Sequence, residues 1–414
     1  MCSQAMVDDG LKEYFQASGE EFYYGSVRVE TAAWQDDISK PSSDVFSAQC
    51  GMTRLAAMLE ERGLEAHKDK TGYLVFGSKD FRMKTEQELK ILPLTLGGFQ
   101  VKQKIQDKYL GQVLHQDGLA MSVVATIQER VGKIKGAIYQ TKQIIETIQM
   151  QAIGGMMAAK QLWEGAIVPS LLNGAGTWIG ITKEGEAMCE EIQELFWLVM
   201  FRVAKSGPKV MLTAETVSMR MKQRIWKEKL LAANTILQQE DSLAKRMYLE
   251  QLTMGWPGLS TEVAEICKEV GLENINEMTI NKKEIQDAVF YHNYGEIKEE
   301  MEKYRKLEEV KHGDFTKLPE YMIKEKSIER VRMAYRIRSR MVNDIKMNFK
   351  NSNKNNLQCE WCDSGEEESQ CHVTQCSGWE EERRGLDLYV MEDLVTFFQR
   401  ILKEKGEKRK EGLL

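Results

Sequence analysis

Ser26-Val27-Arg28-Val29-Glu30-Thr31-Ala32-Ala33-Trp34-Gln35-Asp36-Asp37-Ile38 joins two short β-prone runs at an acidic step. Adjacent aspartates at a hairpin tip can ligate hard divalent cations, and two such cations about 3.5–4 Å apart can clamp the attacking and leaving oxygens of phosphoryl transfer. The same dipeptide is also an ordinary solvated turn, because Asp tolerates turn geometry and bonds its own backbone. The downstream residues decide between the two. Residues 48–62 place Leu55, Met58 and Leu59 at helical spacing, and Gly63 suits the end of that helix. Residues 22–33 and 64–77 read as strands, the second carrying Lys70. A short strand pair is expected around 92–95 and 99–102 with the turn at Leu96-Gly97-Gly98, and Lys108-Tyr109-Leu110-Gly111 comes next.

Beyond about residue 115 the pattern turns helical. Val124, Ile127, Val131, Ile134, Ile138, Ile145 and Ile148 recur at three, four and seven, one apolar face of a long helix. A second helix is expected to run to about Leu172 with Pro169 near its end, and a third over 184–204. Residues 213–320 carry further helical patterns, broken at Gly255-Trp256-Pro257-Gly258 and at His312-Gly313, with no catalytic motif. Six prolines in 414 residues and no Gly/Ser-rich tract leave mostly helices and short turns, with strands confined to the first hundred residues.

Composition bounds the class. A hydrophobic content of 42% with 29% charged residues is that of a globular chain able to build a sizeable core. No apolar run approaches a membrane span, and the first residues have neither a basic region nor an apolar core of a signal peptide, so a nuclear or cytoplasmic, non-secreted protein is expected. The net charge of −6 argues against a uniformly basic nucleic-acid binder, but charge is uneven: residues 1–66 hold twelve acids and five bases, whereas 324–350 holds nine bases and three acids.

Four of the eight cysteines lie between Cys359 and Cys376, a packing that points to metal rather than to disulfides. Cys359, Cys362, His372 and Cys376 read C-x2-C-x9-H-x3-C. The first pair supplies half of a tetrahedral Zn²⁺ site, and His and Cys four apart on a helical turn supply the rest, closing it without water. Cys371 competes with His372 as a ligand, but neighbours cannot easily share one site. Just upstream, Arg332, Arg336 and Arg340 succeed one another at four-residue spacing, with Tyr335 between them. Such a stripe can grip phosphate and stack a base, or can be a plain solvated face. The acids at 363–368 and 380–382 would weaken a nucleic-acid contact. The tail ending Lys408-Arg409-Lys410 reads as a nuclear signal or as a frayed charged end.

Trp34-Gln35-Asp36-Asp37 resembles the aromatic-x-Asp-Asp box of reverse transcriptases. Residues 63–77 resemble the Lys-Thr-bearing palm strand, with Lys70 as the matching lysine, and Lys108-Tyr109-Leu110-Gly111 resembles the primer-grip tetrapeptide of non-LTR, LINE-type retrotransposon polymerases. The expected hairpin at 92–102 resembles the one preceding that grip, and the cysteine-histidine cluster stands where those proteins carry theirs, with His372 fitting their knuckle. The resemblance is collinear over nearly the whole chain. It implies an α+β protein: an incomplete palm over 1–115, a helical thumb over 116–205, a helical linker over 206–323, a basic helix with a CCHC zinc knuckle over 324–382, and a C-terminal helix and charged tail over 383–414.

The implied activity is RNA-directed DNA polymerase, with Mg²⁺ at Asp36 and Asp37, Lys70 as general acid toward pyrophosphate, Tyr109 and Gly111 placing the primer terminus, and structural Zn²⁺ in the knuckle. Lys70 also reads as a solvated strand-end lysine, and Tyr109 to Gly111 as an ordinary turn. The pattern departs from the family in lacking the third aspartate, on a Phe-Asp strand, and the basic fingers. A truncated or decayed copy, inactive as this chain alone, is therefore expected. Its partners would be RNA and DNA, with no membrane, and another chain could complete the palm. The alternative is a non-enzymatic RNA or DNA binder that uses the basic helix and the knuckle.

Overall fold

The computed structural model describes residues 22–29, 32–34, 37–147, 155–205, 207–277, 280–304, 307, 310–342 and 358–410. Among them the strands lie before residue 116 and the remainder is helical, an α+β arrangement. Among the described residues no helix is long and apolar enough to cross a membrane. The described chain forms two compact units. One draws on Met1–Arg130, Leu172–Met188 and Arg224–Val289, the other on Val131–Leu171, Cys189–Gln223 and Phe290–Leu414.

The first unit begins with two hairpins in place of the single strand expected over 22–33. β1 (Phe22–Tyr24) pairs with β2 (Val27–Val29) across a turn that Gly25 enters at φ +60°. β3 (Ala32–Trp34) then pairs antiparallel with β4 (Asp37–Ser39), Trp34 opposite Asp37. Helix α1 (Val45–Glu61) starts where the Asp44 side chain accepts from the Ser47 amide at 2.8 Å, and Gly63 at φ +65° lies just past its end. The Ser47 amide and hydroxyl hold the Asp44 carboxyl below its usual value. A depressed carboxyl contributes stability above its unfolded pKa of about 3.9, and the contribution is lost as pH falls through the folded value. Asp44→Ala is expected to cost about 1 kcal/mol in urea unfolding at neutral pH, and nothing in acid that already protonates the wild-type carboxyl.

The strand expected over 64–77 shrinks to β5 (Gly72–Tyr73). Its first half is a turn, in which the Lys70 and Thr71 amides and the Thr71 hydroxyl all bond the His67 carbonyl. The run His67-Lys68-Asp69-Lys70 has no apolar alternation to bury, so local bonds win over a sheet ladder. Helix α2 (Lys79–Ile91) is an addition to the expected elements, although Ser78 marks its start by accepting from the Phe81 amide. β6 (Thr95–Leu96) and β7 (Phe99–Gln100) form the expected hairpin over Gly97-Gly98, both left-handed. β8 (Lys102–Gln103) lies parallel to β5, and β9 (Gln106–Tyr109) and β10 (Gln112–His115) make a further hairpin, carrying strands past the first hundred residues. Val45, Val75, Leu89, Leu94, Leu96 and Val101 form the core beneath these elements.

Helix α3 (Leu119–Thr147) is the long expected helix; Val124, Ile127, Ile134, Ile138 and Ile145 of its stripe are buried, Val131 is half-buried, and Ile148 lies outside the described residues. α4 (Gly155–Leu162) and α5 (Val168–Leu172) are joined by a widened π turn, Trp163–Ile167. The widening has a cause in Pro169. A proline ring clashes with the carbonyl four residues back, here Gly165, and an extra residue in the turn relieves it. The later helices are α6 (Lys183–Phe201), α7 (Lys209–Glu215), α8 (Met221–Gln238), α9 (Leu243–Met254), α10 (Leu259–Val270), α11 (Lys282–Glu302), α12 (Glu320–Lys324), α13 (Ile328–Arg338), α14 (Gln370–Gln375), α15 (Glu380–Arg383) and α16 (Met391–Lys410).

In the second unit a run of rings forms the core. Trp163 packs on Phe196, Phe196 on Trp197, Trp197 on Phe201, and Phe201 stacks on Tyr335 with centroids 3.9 Å apart. A second cluster joins α13 and α16 to the cysteine-rich segment through Ile337, Cys359, Val373, Cys376, Trp379, Phe397, Phe398 and Ile401.

Candidate functional site

A short antiparallel bridge, Gln358 to Glu367, closes a loop in which the Cys359 amide donates to the Glu366 carbonyl at 2.8 Å, and this loop presents Cys359 and Cys362. Helix α14 faces it. Its first turn is capped by Ser369, which accepts from the His372 amide at 3.0 Å, and the helix carries His372 in that turn and Cys376 just beyond its end. The donor atoms of Cys359, Cys362, His372 and Cys376 all lie within 4.8 Å of one another, a cluster that can hold a metal ion. Cys359 Sγ is 3.8 Å from Cys376 Sγ, and Cys362 Sγ is 3.4 Å from His372 Nε2. Cys371 is exposed and stands outside the group, whereas His372 is one of its four residues.

The surroundings of the cage are not legible in the sequence. His372 Nδ1 lies 2.6 Å from Glu366 Oε2, so the ring nitrogen opposite the cage donates to a carboxylate, and the tautomer that aims a lone pair at the cage is held. In sequence Glu366 is one acid of a charge run. Glu368, from the same run, is buried and bonds the equally buried Lys405 ammonium of α16 at 2.6 Å. That ammonium also sits 5.6 Å from the Trp361 ring centroid, and Trp361 packs on buried Trp379. Gly378 closes the shell from the other side: a Cβ there would come 2.0 Å from the Trp361 carbonyl, so only glycine lets the backbone pass. Ser364 Oγ at 3.1 Å, with the Ser364 amide, draws the Cys362 thiol down to about 6, while burial pushes Cys359 up and Cys376 up to about 12. Glu366→Gln, which keeps shape and removes the charge, is expected to weaken metal binding about 10–100-fold in a competition titration with a chromogenic chelator.

The expected arginine stripe does not form a phosphate-facing surface. Arg332 is fully buried: Nε donates to the Met200 carbonyl at 2.7 Å, and the two terminal nitrogens reach Glu329 and Glu146, each at 2.6 Å. Arg336 is half-buried and donates to the Arg202 carbonyl at 2.8 Å. Arg340 lies past the end of α13 at φ +55°, so it does not continue the face that four-residue spacing implies. Tyr335, expected to offer a ring to a base, is 1% exposed against Phe201. Arg338 makes three hydrogen bonds to the fully buried Glu215, and Arg330 pairs with Glu325. The physical reason is that carboxylates both near in sequence, Glu325 and Glu329, and distant, Glu146 and Glu215, reach this helix and consume its charge.

Of the other expected residues, Asp36 lies outside the described ones, and Asp37 is described in its backbone, as the first residue of β4 opposite Trp34. Lys70 is exposed in the turn of 67–71, with its carbonyl accepting from Lys104 Nζ at 2.8 Å. Tyr109 ends β9, and Leu110 and Gly111 form the two-residue turn to β10. Comparison with known proteins finds no matching family model, no matching curated protein and no matching solved structure.

Proposed function

We propose that this chain is the C-terminal part of a LINE-type reverse transcriptase, a nucleic-acid-binding remnant in which a zinc ion organises the C-terminal module and Asp36-Asp37 is the metal box of a polymerase site. The observation that carries the reading is one of order. Trp34 paired with Asp37 across β3 and β4, a Lys-Tyr-Leu-Gly hairpin turn, a long helix and a Cys3His cluster succeed one another in the order the resemblance implies.

Zinc is favoured by dimensions. Bonds of about 2.3 Å from zinc to sulfur in a tetrahedron set sulfur–sulfur edges of about 3.8 Å. The Cys359–Cys376 separation is 3.8 Å. Three thiolates and an imidazole with no water position suit a structural ion, and loading must displace protons from Cys359 and Cys376, so affinity falls as pH is lowered.

The chain carries two adjacent carboxylates where the family's two-metal site takes three, so it is not expected to extend a primer alone. Each sheet among the described residues has two strands, which leaves open edges on which a further palm segment could pair. The test is binding of an RNA–DNA hybrid across a salt series together with nucleotide incorporation in Mg²⁺. Hybrid binding that weakens with salt, without incorporation, is the expected outcome. Absence of binding at low salt would sink the proposal. Incorporation abolished by Asp36→Ala would show that the chain is a working polymerase. The non-enzymatic alternative, which uses the basic helix and the knuckle, keeps the four-donor cluster but not an exposed Arg332.

A further inference from the structure

The acids beside Cys362 exceed what the metal cage needs. Residues 360–368 hold five carboxylates and no base: Glu360, Asp363, Glu366, Glu367 and Glu368. Two of them are engaged inside the fold, Glu366 at His372 and Glu368 buried against Lys405. Asp363 and Glu367 are exposed, and neither forms an ion pair among the described residues. Like charges crowded around a thiolate cage repel it, so the fold itself gains nothing from these two.

Ser364 sits in the middle of this run, exposed in the turn of the metal loop. Its Oγ accepts from the Glu366 amide at 3.2 Å and stands 3.1 Å from Cys362 Sγ, so it touches a donor of the cage while facing water. Gly365 follows at φ +70°, and a Cβ there would meet no atom within 4 Å, which leaves the chain after the serine open to approach. Kinases select substrates by charge pattern, and a basic cleft reads acids that follow a serine. Here they stand two and three residues on, at Glu366 and Glu367, and the Glu366 side chain keeps 67% of its exposure despite its bond to His372. Ser377, just past the cage, is also followed by acids, Glu380 to Glu382, but its chain is pinned. Gly378 backs onto the Trp361 carbonyl and Trp379 is 1% exposed, so that segment cannot be drawn into a cleft.

We propose that Ser364 is a phosphorylation site for an acid-directed serine kinase, and that phosphate there loosens the metal cage. Ser364 Oγ forms a bond to the γ-phosphorus of ATP, the bond from that phosphorus to the bridging oxygen breaks, ADP leaves, and the hydroxyl proton passes to solvent. The product carries a charge of about −1.5 to −2 next to Cys362. Three thiolates around a dication already leave the cage net negative, so the phosphate repels the Cys362 thiolate and the Glu366 carboxylate that holds His372. The esterified oxygen also has no proton left to share with Cys362. The loosening rests on the cage holding zinc, as proposed above, whereas the modification itself does not, and neither depends on polymerase chemistry.

The test uses the full chain loaded with zinc, an acid-directed serine kinase and radiolabelled ATP, with the labelled peptide mapped by mass spectrometry. Label is expected on Ser364 and is lost in Ser364→Ala. It should be incorporated several-fold more slowly in Glu367→Gln, whose side chain is exposed and outside the donor set. Zinc affinity, read by competition with a chromogenic chelator, should fall about 10–100-fold on phosphorylation, the range for altering a partner of a metal ligand, and return after phosphatase treatment. No label, or label confined to Ser377 or to other residues, would overturn the site. Label on Ser364 with zinc affinity unchanged would overturn the loosening. An unphosphorylated chain that takes up no zinc would overturn the cage reading and the loosening together, and the labelling result then decides the site by itself.

Discussion

Stripping the metal from the Cys359, Cys362, His372 and Cys376 cage is expected to unfold the segment 358–376 and to release α16 from it. Structural zinc supplies on the order of 10–16 kcal/mol to small modules, more than any other single contribution a segment of this size can draw on. The cage lies inside a core rather than at the end of a tether: Cys359, Val373, Cys376 and Trp379 pack with Phe397, Phe398 and Ile401 of α16, and the buried Lys405–Glu368 pair crosses the same junction. Without the metal the two sides lose their common anchor, and the ion pair is left to cover its own desolvation. Hydrogen exchange in chelator should lose protection over 358–376 and 391–405 together, and the melting curve should shift down or split. Cys376→Ala should reproduce this without chelator, and Cys371→Ala should not, because Cys371 is exposed outside the donor set. Equal effects from the two substitutions, or a melt indifferent to chelator, would show that the cage holds no structural ion.

The second large effect is expected at Arg338. Its guanidinium makes three hydrogen bonds to Glu215, a carboxylate with no exposed surface, which also accepts from Tyr321 Oη at 2.6 Å. Arg338→Met would strand a buried negative charge, and breaking such a pair from one side costs about 3–5 kcal/mol. Removing both partners, Glu215→Met with Arg338→Met, should recover most of that, since no charge remains to be desolvated. The same logic gives a smaller number for Arg332→Met. Glu146 keeps about a quarter of its side-chain exposure, so water can reach it, and the main loss is the bond to the Met200 carbonyl, about 1–3 kcal/mol. Urea unfolding of wild type, the two single variants and the double variant separates these cases. If Arg332→Met left stability untouched and weakened hybrid binding instead, the arginines would be contacts to phosphate after all.

These charge clasps mark the boundary of what can be read without coordinates. The helical stripe of α3, the Gly97-Gly98 hairpin, the end of α1 at Gly63 and the metal cage are set by neighbours within a few turns or a few tens of residues, and periodicity and spacing report such neighbours directly. Cys359 to Cys376 spans eighteen residues, and the alternation of thiol pair and helical His-Cys pair is enough to bring four donors together. The short strands are harder. Polar turns such as 67–71 and the left-handed Gly25 interrupt runs that β propensity alone would join.

The fate of the basic helix was decided only by tertiary structure. Arg332 meets Glu146 across 186 positions and Arg338 meets Glu215 across 123, and no local pattern distinguishes an arginine that finds a remote carboxylate from one that stays in water. The same holds for Ser122, Thr126 and Arg130 of α3, which look ordinary in sequence and bond the His115 amide, the Val113 amide and the Gly111 carbonyl because β10 lies alongside. Sequence by itself determined the long helix α3, the Gly97-Gly98 hairpin and the grouping of four donors that could hold a metal ion, because their forces are local. Only the folded chain decided which charges are spent inside, because desolvation and pairing depend on what the rest of the chain brings near.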